Sequence, residues 1–224
     1  MSYFITIQYP YQYLTISLSD DTTMIETQTV SKFQAISLLI PTLQTMLAAH
    51  NLTLADIACI GINTGPGPFN TLRSIIATAN GISFAKQIPL VGCNGLELML
   101  QETDDHNTVV ILDAFGSDVY FAIKSSGIQG YNSIENLVAE LNQSTNTTII
   151  FMGNGAVKHQ EYITNNVAGS APSFAKAPAG TIFKSDCLFA SPQSLVNATY
   201  KKFSQGQTEK EIFPLYFASP VVKN

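Results

Sequence analysis

Gly61-Ile62-Asn63-Thr64-Gly65-Pro66-Gly67-Pro68-Phe69-Asn70-Thr71-Leu72-Arg73 is the stretch that decides how this chain is read. It carries an apolar run, Ile57 to Asn63, through a glycine-proline loop into a segment of helical spacing that is capped at Asn70 or Thr71 and runs to about Ala85. A glycine loop at a helix N-terminus is the usual phosphate cradle, because free backbone N–H groups and the helix dipole face the anion. Here Pro66 and Pro68 have no N–H, and no lysine stands in the Walker position. The loop therefore reads as stiff and structural, built on Gly65, Pro66, Gly67 and Phe69. Arg73 is the only arginine beside ten lysines. In a first helical turn a cation opposes the macrodipole by roughly 0.3–1 kcal/mol, so Arg73 is either matched by a carboxylate or phosphate on another surface or simply solvated.

Reading outward, Tyr3, Ile5 and Ile7 alternate with Phe4 and Thr6, and Leu14, Ile16 and Leu18 resume after Tyr9-Pro10-Tyr11, which predicts a hairpin. Asp20-Asp21 makes the next turn, Thr23 to Val30 a third strand, and Ser31 the expected N-cap of a helix over Lys32 to Ala49. Pro89 to Cys93 follows the second helix as a strand, and Gly95 to Glu102 as a third helix. The second half begins the same way, with strands Val109 to Leu112 and Asp118 to Ile123 around the turn Asp113 to Ser117. Helix Ile134 to Leu141 and strand Thr148 to Met152 come next, and Gly153-Asn154-Gly155 closes that strand as Gly65-Pro66-Gly67 closed its counterpart. Val167 to Lys184 reads as irregular surface chain, and a last helix covers Pro192 to Phe203. The pattern predicts a duplicated α/β fold of two lobes, residues 1–105 and 106–224, divided at the polar run Asp104-Asp105-His106-Asn107, with the last helix expected to pack back on the first lobe.

The chain has 224 residues, 46% of them apolar and only 12% charged, with a net charge of −5. Such a composition excludes disorder and coiled coil. No basic cluster exceeds Lys201-Lys202, so nucleic acid is expected to bind weakly to the chain alone. Apolar runs fall short of the ~18 residues a membrane span needs, and Met1-Ser2-Tyr3-Phe4 lacks a basic leader, which predicts a cytoplasmic protein. Cys59, Cys93 and Cys187 read as reduced thiols, and His50, His106 and His159 lack metal or protease spacing. Asp113 and Asp118 flank a turn and are the only candidates for a base or a metal ligand. No catalytic, cofactor-binding or metal residue is assigned.

The helix Lys32 to Ala49 carries two apolar stripes where a surface helix needs one: Ile36, Leu39, Ile40, Leu43 and Leu47, and beside them Ala35, Leu38, Thr42, Met46 and Ala49. In the next helix Leu72, Ile75, Ile76 and Ala79 repeat the width, while Ala77, Gly81 and Ala85 fall at i, i+4 and i+8. A glycine inside a helix costs about 1 kcal/mol relative to alanine unless packing requires it. Two readings follow: both helices are buried in the domain, or they form a docking surface.

These segments resemble a known family, the tRNA threonylcarbamoyladenosine biosynthesis proteins TsaB, also called YeaZ. Gly65 to Arg73 is similar to the family's Gly-Pro-Gly-Ser-Phe-Thr-Gly-x-Arg signature with three changes. Leu38-Leu39-Ile40-Pro41 looks like its Leu-Leu-Pro helix, Pro89 to Glu97 like its Pro-x-x-Gly-Val-Ser-Thr-Leu-Glu strand, Ile111 to Tyr120 like its Ile-Asp-Ala-Arg-x-x-Glu-Val-Tyr hairpin, and Pro214-Leu215-Tyr216-Phe217 like its Pro-x-Tyr-Leu-Arg end. The likeness is collinear, strong over residues 31–124 and weak over 125–210.

The resemblance implies an actin-like (ASKHA, sugar-kinase-type) duplicated βββαβα fold. It also implies a non-catalytic partner of TsaD, the paralogue that transfers the threonylcarbamoyl group to N6 of the adenosine next to the anticodon. TsaE is expected in the same complex, tRNA only indirectly, a homodimer when the chain is alone, and ATP only at an interface shared within the complex. The implied partner surface is Leu38, Leu39, Thr42, Met46, Arg73, Ile76, Ala77, Asn80 and Gly81. Four departures stand out: Gln8-Tyr9-Pro10-Tyr11 replaces the strand-ending Asp-Thr-Ser, Ala35 a His, Phe115 an Arg, and Ala218 the C-terminal Arg. The competing reading is a small actin-like ATP-binding kinase or hydrolase, which needs the carboxylate that the first hairpin lacks.

Overall fold

Ile5, Ile7, Leu14, Ile16 and Leu18 are wholly buried, and their alternation builds the antiparallel pair β1 (Tyr3–Gln8) and β2 (Tyr13–Asp20). The computed structural model describes residues 2–144, 148–167 and 180–217. β3 (Thr23–Ser31) adds antiparallel to β2, and its polar residues leave it a largely exposed edge. On the other side β4 (Ile57–Asn63) and β5 (Leu90–Cys93) add in parallel, giving the order β3-β2-β1-β4-β5. Helices α1 (Ala35–Ala49) and α2 (Phe69–Lys86) supply the crossovers, followed by α3 (Gly95–Leu100).

The second sheet repeats the scheme. β6 (Thr108–Asp113), β7 (Asp118–Ile123) and β8 (Gln129–Ser133) form an antiparallel meander, and β9 (Ile149–Met152) and β10 (Thr181–Lys184) continue in parallel, in the order β10-β9-β6-β7-β8. α4 (Ile134–Ser144), α5 (Asn154–Lys158) and α6 (Gln160–Asn166) are its crossovers. Two sheets with one connectivity establish the duplicated α/β fold that the sequence pattern predicts.

The chain divides after Leu98 rather than at 105/106, and residues 190–216 belong with the first unit, on which the last helix was expected to pack. The reason is α7 (Pro192–Ser204), capped by Ser191 and packed on the face of the first sheet opposite α1 and α2. Phe4 meets Tyr200 and Phe203 edge-on at 5.8 and 5.1 Å. A Cβ on Gly61 would lie 2.0 Å from Thr199 Oγ1, so β4 needs glycine where α7 crosses it. β1 is thereby buried on both faces, Thr6 and Gln8 included.

Both expected caps differ. β3 runs on to Ser31, so α1 begins at Ala35 with Gln34 as its N-cap, and the Ser31 hydroxyl donates to Gln34 Oε1. α2 starts at Phe69 with Pro68 as its N-cap, which places Asn70 inside the first turn. β8 and β10 were not legible, being short and only partly buried, and residues 168–179 of the expected irregular stretch lie outside the described ones.

Candidate functional site

The loop Thr64–Pro68 is held from all sides within the first unit. Thr64 donates to Cys93 O through both its N–H and its hydroxyl, Gly65 N–H donates to Asn63 Oδ1, and Gly95 N–H donates to Gly65 O at 2.7 Å. Gly65 has φ +105°, a conformation that a side chain would strain, and the Gly65-Pro66 peptide is cis. The structural reading of Gly65, Pro66, Gly67 and Phe69 fits this geometry: the Gly65 donor faces a side chain of its own chain and two positions have no donor at all.

A C-terminal strap, residues 207–216, crosses beside the loop. Glu209 exchanges two backbone hydrogen bonds with Leu90, and Leu215 N–H donates to Thr64 O. Asn80 fixes the strap's centre, its amide donating to Ile212 O at 2.9 Å and accepting from Ile212 N–H at 3.1 Å. Strap, loop and β5 enclose a hollow of about 560 Å³ whose lining includes Thr64, Gly92, Lys202 and Glu209. Lys202 Nζ donates to Gly92 O at 2.7 Å.

Of the partner-surface residues expected from the sequence, Leu39 (1% exposed), Met46 (1%) and Ile76 (2%) belong to the core of the first unit. They face the sheet because the packed face of α1, Ala35, Leu39, Leu43, Met46 and Leu47, runs between the two stripes read from the sequence and takes residues from both. Asn80 is occupied by Ile212. Leu38 and Thr42 are half-buried, and Arg73, Ala77 and Gly81 are exposed in a row along α2. Sequence reasoning missed Phe33 (88% exposed), Ile36 (57%), Ile40 and Phe84 (82%), which lie open at these two helices. The signal was present in the first stripe, of which Ile36 and Ile40 are the positions left over once Leu39, Leu43 and Leu47 pack on the sheet.

The second unit provides an internal control, since α4 to α6 occupy the same places in the repeat. The exposed residues of α4 are Glu135, Asn136, Ala139, Asn142 and Gln143, and α6 shows Gln160, Glu161, Thr164, Asn165 and Asn166. α1 contains no charged residue and α2 only Arg73 and Lys86. α5 exposes Val157 and Lys158, so the contrast lies between α1 and α2, which expose Ile36, Ile40 and Phe84, and the polar exposed faces of α4 and α6.

The first hairpin turn has no carboxylate, and the two carboxylates of the second hairpin are engaged within their own unit. The first hairpin turns through Pro10 and Tyr11 (φ +66°), and Gln8 Nε2 donates to Ala190 O at 3.2 Å. In the second hairpin Asp113 accepts from Phe115 N–H and pairs with Lys158 at 2.7 Å, while Asp118 accepts a short hydrogen bond from the Tyr131 hydroxyl, which pushes that phenol up to about 12. Both acids are turn and packing groups. Phe115 sits exposed at φ +72°, Ala35 is buried, and Ala218 lies outside the described residues. Burial pushes the Cys59 thiol up to about 12 and those of Cys93 and Cys187 to about 11, which leaves little thiolate at neutral pH. Among the described residues no group of three His, Cys, Asp or Glu is placed to hold a metal, and no helix is long and apolar enough to cross a membrane.

The sequence matches the family described as TsaD: tRNA N6-adenosine threonylcarbamoyltransferase over residues 30–206. An uncharacterized protein of Mycobacterium tuberculosis is 33% identical over 103 residues, 46% of this chain and 48% of its own. The tRNA threonylcarbamoyladenosine biosynthesis protein TsaB of Haemophilus influenzae is 23% identical over 150 residues, 59% of this chain and 63% of its own. The chain thus spans about half the length of the mycobacterial relative, at 48%. Among solved structures, YeaZ from Pseudomonas aeruginosa superposes with a TM-score of 0.69 at 16% identity, covering 96% of this chain and all (100%) of that one, a likeness of fold.

Proposed function

Because the chain belongs to the TsaD family, and within it to the TsaB (YeaZ) group, we propose that it is a non-catalytic subunit that pairs with a TsaD paralogue for N6-threonylcarbamoyl modification of tRNA adenosine. The observation that carries this reading is the outer surface of α1 and α2. Ile36, Ile40 and Phe84 stand open beside the small-residue row Ala77, Gly81 and Ala85, on helices nearly without charge, whereas the exposed faces of α4 and α6 in the second unit are polar. A partner's helix pair of the same fold would bury this strip and come close over Ala77 and Gly81. Alone, the chain would cover it with a second copy.

Chemistry is assigned to the paralogue. The turn Gln8–Tyr11 offers no carboxylate to order a magnesium nucleotide, and the Gly65 loop has its hydrogen bonds directed inward. ATP, with TsaE, is placed in the assembled complex rather than on this chain, and tRNA reaches it through the paralogue. The test is reconstitution: the host's TsaD paralogue is incubated with substrate tRNA with and without this protein, and threonylcarbamoyladenosine is counted by nucleoside mass spectrometry alongside size-exclusion of the pair. Co-elution and protein-dependent modification are expected. Equal modification without the protein, or no co-elution, overturns the proposal.

A further inference from the structure

Arg73 is held in an arrangement that packing alone does not require. Its Cζ lies 3.5 Å from the centre of the Phe69 ring and 5.4 Å from that of Tyr216, the two rings are 5.5 Å apart, and its Nε donates to the Tyr216 hydroxyl at 2.6 Å. All three residues are exposed. An exposed arginine ordinarily keeps its rotamer freedom, but here one face is stacked and one donor is tied. No carboxylate rewards that order: among the described residues Arg73 makes no ion pair, and as the fifth residue of α2 it lies one turn into the helix rather than in the first turn that the sequence suggests. What remains is the pair of terminal nitrogens, the edge of a guanidinium that grips a carboxylate through two parallel hydrogen bonds.

We propose that Phe69, Arg73 and Tyr216 form a preset fork for one acidic side chain of the TsaD paralogue, an inference that rests on the docking reading above. Position supports a protein carboxylate. Arg73 heads the exposed row that continues through Ala77 and Gly81, and the only other charge on either helix, Lys86, lies 13 residues on, about 20 Å along the axis. A single cation at one end of an apolar strip fixes the register in which a partner helix lies along it. Phe69 and Tyr216 are positioning residues: they hold the fork in place before contact, so that little ordering is left to oppose binding. Tyr216 is in turn placed by the strap, through Leu215 on Thr64 and Ile212 on Asn80.

The test is titration calorimetry of the whole protein with the purified paralogue, at low and high salt, for wild type, Arg73→Gln, Tyr216→Phe and the double variant. Arg73→Gln is expected to weaken binding by about 10- to 100-fold, the range for a charged hydrogen-bonded contact, and to flatten the salt dependence. Tyr216→Phe keeps the ring but frees Nε, and a loss of about 3- to 10-fold is expected from restored side-chain freedom. In the double variant the loss should equal that of Arg73→Gln alone, because Tyr216 acts through Arg73. Thermal melts of all three variants should match wild type. Wild-type affinity and salt dependence for Arg73→Gln overturn the fork, as does a Tyr216→Phe penalty that persists in the Arg73→Gln background. If the affinity for the paralogue is unchanged but the assembled complex loses tRNA affinity, the occupant is a phosphate and the proposal fails. Failure of wild type to bind the paralogue at all is a different result, which removes the docking reading itself.

Discussion

Gly81→Ala separates the two readings of the helix pair, because its effects on the free chain and on the complex have opposite signs. Gly81 lies in the interior of the 18-residue α2, it is exposed, and a Cβ built on it meets nothing within 4 Å. In the free chain the residue therefore costs helix stability and returns nothing. Alanine should recover about 1 kcal/mol, from helix propensity and from a less flexible unfolded chain. For a chain of this size that corresponds to a rise in Tm of about 2–4 °C. Against the partner the added methyl falls where two backbones approach, and overpacking a close contact costs about 1–3 kcal/mol, so affinity for the TsaD paralogue should drop by roughly 5- to 150-fold. Circular-dichroism melts of the free protein and calorimetric titration with the paralogue measure the two quantities. A lower Tm would mean that α2 is covered at this point in the free chain, and an unchanged or tighter complex would mean that no helix comes close there; either refutes the reasoning.

Ala77→Glu, one turn before Gly81 and exposed, should leave the melt within about 0.5 kcal/mol of wild type while reducing paralogue binding at least about a hundredfold, near 2.7 kcal/mol, since it sets a charge in the contact and brings a competing carboxylate within reach of Arg73. Unfolding by this variant would place Ala77 in the core. Gly61→Ala should cost about 1–3 kcal/mol in urea unfolding through its clash with Thr199, and Thr199→Ala in the same chain should restore part of it; additive losses would show that α7 does not bear on β4 there. Stability should also fall above the ordinary thiol value of 9.0, because the unfolded chain ionises first while buried Cys59 and Cys93 hold their protons to about 12 and about 11. The sign follows from fewer protons bound in the unfolded state, and Cys59→Ala should show a smaller drop in urea midpoint between about pH 8 and about pH 10 than wild type.

Most of the fold was legible because its signals are local. Alternation in Ile5, Ile7, Leu14, Ile16 and Leu18, the apolar run into Asn63 and the two glycine loops at 65–67 and 153–155 each mark an element without reference to the rest of the chain. The return of α7 to the first unit was expected, but not where the boundary falls or which strands the helix crosses, because those are tertiary facts; the local trace is Gly61, a glycine inside a strand where a side chain comes near. At the site the same limit appears in α1. Two apolar stripes show a surplus, but not that the packed face runs between them, and the choice of Leu39 and Met46 over Ile36 and Ile40 was settled by the sheet beneath. Asn80 failed for a related reason: its partner, Ile212, is 132 residues away. Arg73 was legible as an anomaly of composition, and its partner Tyr216 stood in a segment read only as a terminal motif.

The loop at the head of α2 has the strand-loop-helix placement of a phosphate loop but different chemistry. The strand-loop-helix geometry is kept, yet Gly65 N–H turns to Asn63, Gly65 O takes Gly95, Thr64 is bound to Cys93 and to Leu215, and prolines occupy two of the positions where a cradle needs donors. Each of those bonds also anchors something on the outside: α3 through Gly95, β5 through Cys93, and through Leu215 the strap that brings Tyr216 to Arg73. A loop tied through Thr64 and Gly65 to Asn63, Cys93, Gly95 and Leu215 fixes the start of α2 and the end of the strap at once. The same bonds that stiffen the loop hold Phe69, Arg73 and Tyr216 in register at the head of α2, which is the preorganisation the proposed docking surface requires.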